Sequence, residues 1–175
     1  MPEMTMSDVA KLAAEIATQA AMEYLETERK RQTKRKKDWR LRNTKLLLRH
    51  YRSFVEHSSE VQVSPLESAE VLEELYSEEF VVESIRRSKQ RTRAMVQFIQ
   101  QMLQTYRIMC ERSGKEEEMR RFQVLHAMYI SDEVTTIEMI AECHFVDART
   151  IYRDINDGAK TLSVLIFGVD GLRWE

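Results

Sequence analysis

Glycine and proline are scarce, with four and two residues in a chain of 175, against ordinary usage of roughly 7% and 5%. A chain so poor in turn formers cannot easily make the many tight connections of a β-sandwich or a βαβ series. It points to an all-α fold with few breaks. Only two cysteines occur, Cys110 and Cys143, without C-x-x-C spacing, which excludes a disulfide scaffold and a cysteine zinc site. No apolar run approaches the roughly 20 residues of a membrane span. The first residues lack the charged-then-apolar pattern of a signal peptide. The expectation is a reducing, cytoplasmic compartment and no membrane contact.

Charge of one sign is missing from whole stretches. The net charge of −2 conceals segregated blocks. Residues 29–55 carry twelve Lys/Arg and one acid, Asp38. Residues 56–84 carry nine Glu and no Lys or Arg. Residues 85–110 are basic again, and 115–175 hold seven Lys/Arg against twelve Asp/Glu. A local charge of +11 over residues 29–55 attracts nucleic acid or an acidic surface. The acidic block beside it is either a partner for the basic one or a solvated face.

The helices read in order. Residues 5–28 form an amphipathic helix, with Val9, Leu12, Ala13, Ile16, Ala20 and Tyr24 at helical spacing. Nothing between Leu25 and Val55 breaks it, since neither Gly nor Pro intervenes, and the basic stretch either continues this helix or begins a second. In the basic stretch, Trp39, Leu46, Leu47, Tyr51 and Phe54 are apolar. Trp39 and Tyr51 either pack inside the helical bundle or stack on unpaired bases. Ser64-Pro65-Leu66-Glu67 predicts a short acidic helix to about Tyr76. Ser77 then caps a helix reaching Arg112. Met95, Ile99, Met102, Tyr106 and Met109 alternate in steps of four and three, the spacing of either a homodimer seam or a core-facing helix. Ser113-Gly114 ends it. A helix over 115–130, a short one to about Cys143 opened by the capping box Thr135-Thr136-Ile137-Glu138, and a long one over 148–166 stopped by Gly168 complete the chain. The expected organisation is a helical N-terminal region over 1–112 and a helix-turn-helix domain over 115–175.

The segment TIEMIAECHFVDARTIYRDIN, residues 136–156, carries the helix-turn-helix signal. Ala141 is small where the two helices must cross. Val146 can lock the link into the core. Asp147 can cap the second helix, and Ile151, Ile155 and Leu162 form its inner stripe. That arrangement leaves Ala148, Arg149, Thr150, Tyr152, Arg153 and Asn156 near the end of the helix that enters a major groove. Arg suits guanine edges, Asn suits adenine, and Ala and Thr suit thymine methyls. Thr136 and Tyr152 suit phosphate. Lys34, Arg35, Lys36, Lys37, Arg40, Arg42 and Lys45 are candidate phosphate contacts. The alternative is a three-helix domain that binds protein. One feature departs from the usual pattern: His144 and Phe145 stand where an apolar residue and Gly are customary, and because Phe is costly at positive φ the expectation is a reshaped turn.

No chemistry-bearing motif stands beside this one. The four histidines are dispersed, Cys143-His144 has no further ligand nearby, and neither a phosphate-binding Gly loop nor a nucleophile elbow occurs. No enzyme activity, metal or cofactor is expected.

The pattern IAECHFVDARTIYRDINDGAKTLSVLIFG, with DWRLRNTKLLLRHYRSF upstream, resembles the ArpU/RinA-type late-gene regulators of phages in Gram-positive bacteria. Its recognition helix and apolar tail are also similar to region 4 of bacterial sigma factors. The resemblance implies a phage-encoded transcription activator with Arg149, Thr150, Tyr152 and Arg153 facing DNA. The expected partners are double-stranded DNA and bacterial RNA polymerase. Two alternatives remain: a sigma-like protein that binds core polymerase directly, and a small terminase-like packaging adaptor.

Overall fold

The computed structural model describes residues 6–59 and 89–168. The predicted acidic helix after Ser64, the Ser77 start and most of the acidic block lie outside the described residues. Five helices and no strand occur among the described residues: α1 Met6–Ser58, α2 Lys89–Ser113, α3 Glu116–Tyr129, α4 Ile137–Cys143 and α5 Ala148–Phe167. The fold is all-α. No helix among the described residues is long and apolar enough to cross a membrane.

The uninterrupted stretch without Gly or Pro forms one 53-residue helix, α1. Contacts divide the chain into two units, with the boundary between Trp39 and Arg40. The first unit is the helix up to Trp39. Its apolar side chains Leu12, Ile16 and Tyr24 stay exposed, as do nearly all residues from Ala10 to Asp38.

The second unit holds the end of α1 and all four later helices. Asn43, Thr44, Leu47, Leu48, Tyr51, Phe54 and Ser58 form the buried stripe of α1, the three-and-four spacing of a core-facing helix. Tyr51 is buried, and its hydroxyl accepts a hydrogen bond from Gln100 Nε2 at 3.1 Å. That placement removes Tyr51 from base stacking, because its ring faces α2. Trp39 is half-buried.

In α2, Met95, Ile99 and Tyr106 are buried within the chain while Met109 is exposed. The stretch with heptad spacing is therefore a core face and not a free seam. Its buried row continues through Leu103 and Cys110 rather than Met109. Tyr106 meets Phe122 of α3 edge to face at 5.5 Å. The link between these helices turns at Gly114, φ 67°, where a Cβ would be strained. The expected boundary between Arg112 and Lys115 thus falls inside one packed unit.

Burial pushes the Tyr106 hydroxyl up to about 12 from its ordinary 10.0. The folded unit holds that proton more tightly than the unfolded chain. Its contribution to stability is complete below pH 10 and is lost as pH rises toward 12. Alkaline unfolding of Tyr106→Phe is expected to begin at higher pH than that of the wild type, with denaturation followed by circular dichroism.

The helices α3, α4 and α5 share a core of Val124, Ile137, Ile140, Ala141 and Ile151, with Ala127, Met128, Val146, Ala148 and Ile155 packed against it. Ala141 is buried in this core and Val146 packs against it. Where α5 passes α3, a Cβ at Gly158 would lie 3.1 Å from Leu125 Cδ1 and 3.4 Å from the Arg121 carbonyl. The glycine lets the two helices approach at that point. The acidic first turn of α3, Glu116 to Glu118, suits the positive end of its helix.

Candidate nucleic-acid interface

The helix pair α4 and α5 is built by three local devices. Thr136 caps α4, its hydroxyl accepting from Met139 N at 3.2 Å. Asp147 caps α5, its Oδ1 accepting from Thr150 N at 2.7 Å and its Oδ2 from the Thr150 hydroxyl at 3.3 Å. The Thr150 backbone N–H holds the Asp147 carboxyl below the usual carboxylate range. Between the two helices, Val146 N donates to Ala141 O at 3.0 Å and Phe145 N to Glu142 O at 3.2 Å. This pair of bonds is a Schellman turn with Phe145 in the glycine slot. Phe145 has φ 53°, unique among the described non-glycine residues. A left-handed conformation costs a side-chain-bearing residue about 1–2 kcal/mol.

The structure sorts the sequence candidates. Arg149, Tyr152 and Arg153 are exposed. Arg149, Arg153, Asn156 and Lys160 recur at intervals of four, three and four, so they share one face of α5. Ala148 is half-buried against the core cluster, so its methyl serves packing. Thr150 is tied to Asp147 and Thr136 to Met139, so both act as capping elements. Asn156 is half-buried, and its Oδ1 accepts from Lys45 Nζ at 2.8 Å. This hydrogen bond brings a residue of the basic stretch onto the exposed face of α5.

Arg42, Lys45 and Arg49 are all exposed. Their spacing of three and four places them on one face of α1. Arg49 escaped the sequence reading, although its position seven residues from Arg42, two helical turns on the same face, is the signal that finds it. Arg40 is half-buried in the same unit. Lys34, Arg35, Lys36 and Lys37 are exposed on the α1 segment that forms the first unit.

The inner side of α5 is anchored by a group the sequence reading left aside. Asp154 is fully buried, and its Oδ2 accepts from Arg120 Nε at 2.7 Å. Arg121 Nε lies 3.7 Å from Oδ1. The Asp154 carboxylate raises the Arg120 guanidinium above its ordinary value. The ion pair joins α5 to α3 and fixes which face of α5 turns outward. A single acid at the three-residue step after Ile151, inside an apolar stripe, is the sequence trace of that role.

Comparison with protein-family models, with curated proteins and with solved structures gave no match.

Proposed function

We propose that this chain is a DNA-binding transcription regulator that reads duplex DNA with the outer face of α5. In this reading it acts with bacterial RNA polymerase, as the ArpU/RinA-type regulators it resembles do. The observation that carries the reading is the Lys45–Asn156 hydrogen bond of 2.8 Å. It joins two cationic rows, Arg42–Lys45–Arg49 of α1 and Arg149–Arg153–Lys160 of α5, into one surface. Phosphates attract such a surface, and exposed arginines beside an asparagine supply the donors that base edges require. Arg149 and Arg153 would read bases, while Arg42 and Arg49 would hold the backbone. Asn156 is already occupied by Lys45, so it reads adenine only if that bond opens.

Selection of bound duplexes from a random pool, followed by titration over a range of salt, tests the reading. Arg149→Ala and Arg153→Ala are each expected to weaken binding to the selected duplex by roughly ten-fold to a hundred-fold and to relax its sequence preference. Arg42→Ala and Arg49→Ala should weaken all duplexes alike and lower the salt slope by about one each. Salt-independent binding, or no enrichment of any duplex, refutes the proposal.

A further inference from the structure

Phe145 is the one described residue whose conformation and exposure both run against folding. Its backbone is left-handed, φ 53°, in a slot where glycine is free of strain. Its side chain is 96% exposed, so no burial in the fold offsets the strain. The turn itself does not require an aromatic ring, because its hydrogen bonds are backbone bonds and its apolar lock is Val146. Strain held without a folding return marks a contact made with something else.

Position and neighbours point to that something. Phe145 stands at the leading end of α5, four residues before Arg149 and seven before Tyr152, both exposed. Aromatic and arginine side chains thus alternate from the turn into the helix. The carboxylates of Glu138 and Glu142 are exposed on α4 and disfavour a phosphate at this end. An uncharged feature of DNA is the contact that fits, and thymine methyls and sugar faces are its apolar features.

We infer that Phe145 makes an apolar contact with a thymine methyl or sugar of bound duplex DNA, at the edge of the surface formed by α5. The inference rests on the DNA-binding reading above. The contact displaces no counterion, because the ring carries no charge. The same residue therefore trades stability of the free protein for affinity.

The test compares the wild type, Phe145→Gly and Phe145→Tyr on the duplex selected from the random pool. Phe145→Gly is expected to raise Tm by several degrees, because the left-handed strain is removed. It should weaken binding by roughly three- to ten-fold with an unchanged salt slope. Phe145→Tyr should retain affinity within about two-fold, since the ring is kept. Replacing thymines of the site one at a time by deoxyuridine should locate a methyl contact that matters to the wild type and not to Phe145→Gly; a flat scan with the affinity loss intact assigns the contact to the sugar. Wild-type affinity in Phe145→Gly overturns the inference while leaving the DNA reading standing. Unchanged DNA affinity together with lost binding to purified bacterial RNA polymerase also overturns it, and assigns Phe145 to a protein contact. If the wild type selects no duplex, the DNA reading itself fails and the inference with it.

Discussion

Asp154→Ala is expected to destabilise the folded unit by about 3 kcal/mol and to lower its Tm by on the order of 15 °C. Asp154 is fully buried on α5, with Arg120 Nε at 2.7 Å and Arg121 Nε at 3.7 Å. Removing the carboxylate leaves two neighbouring guanidinium groups without their shared anion. The arginine side chains are 23% and 27% exposed, so each can turn partly toward water. That escape keeps the loss at the lower end of the range for broken buried pairs. Asp154→Leu separates charge from volume. It refills the space left by the carboxylate, so it should lose less than Asp154→Ala if the cavity matters and equally if only the charge does. Thermal unfolding of the three proteins decides. A Tm for Asp154→Ala within about 3 °C of the wild type would mean that the ion pair adds little to stability. Under the DNA-binding proposal, both variants should also lose sequence preference before they lose salt-dependent affinity, because the pair sets which face of α5 is presented.

The second large effect is expected at Arg52, which closes the far end of α3. Its Nε donates to Ser131 O at 2.7 Å, and its Nη2 lies 3.3, 3.2 and 3.1 Å from the carbonyl oxygens of Ala127, Met128 and Glu133. The last carbonyls of a helix have no partner within it, and a positive charge there is favourable. One guanidinium from α1 thus satisfies the end of α3 and the loop that leads to α4. Arg52→Met removes both the charge and the donors and should cost about 2–3 kcal/mol. Arg52→Lys keeps the charge but cannot fork across several carbonyls, and should lose about half as much. Denaturant midpoints measure the two losses. Hydrogen exchange adds a local readout: amides of residues 130–135 should exchange faster in Arg52→Met than in the wild type. Full stability in Arg52→Lys would show that a point charge suffices and that the fork is irrelevant.

Helix boundaries were legible because their causes are local. Asp147, Gly114 and Gly168 act within about four residues of themselves, and the structure places each at a helix end; the cap of α4 falls on Thr136, one residue after the Thr135 that the capping-box spacing indicates. Phe145 did not follow from local logic: its cost at positive φ pointed to a reshaped turn, yet the structure keeps the left-handed turn with Phe145 in the glycine slot. The core stripe Ile151, Ile155 and Leu162 followed from the 3.6-residue period, and the structure turns all three inward.

Other features were legible only as alternatives. Spacing could not separate a dimer seam from a core face for Met95, Ile99 and Tyr106, because both need the same period. Tyr51 posed the same difficulty, as an aromatic ring among basic residues suits stacking and packing equally. Ala148 and Asn156 counted as outward residues by helical angle, yet one packs against Val124 and its neighbours and the other accepts from Lys45.

The sequence by itself determined an all-helical chain, the ends of its later helices, the segregation of its charge and the residues that flank one tight turn. Each of these depends on composition or on neighbours a few positions away. Tertiary structure alone decided that Lys45 meets Asn156 on α5, that Asp154 is an anchor, and that Phe145 stays in solvent. The contacts responsible join residues 34 positions apart for Arg120 and Asp154 and 111 apart for Lys45 and Asn156. No local propensity encodes such separations; they are set by which helix faces bury the most apolar surface together.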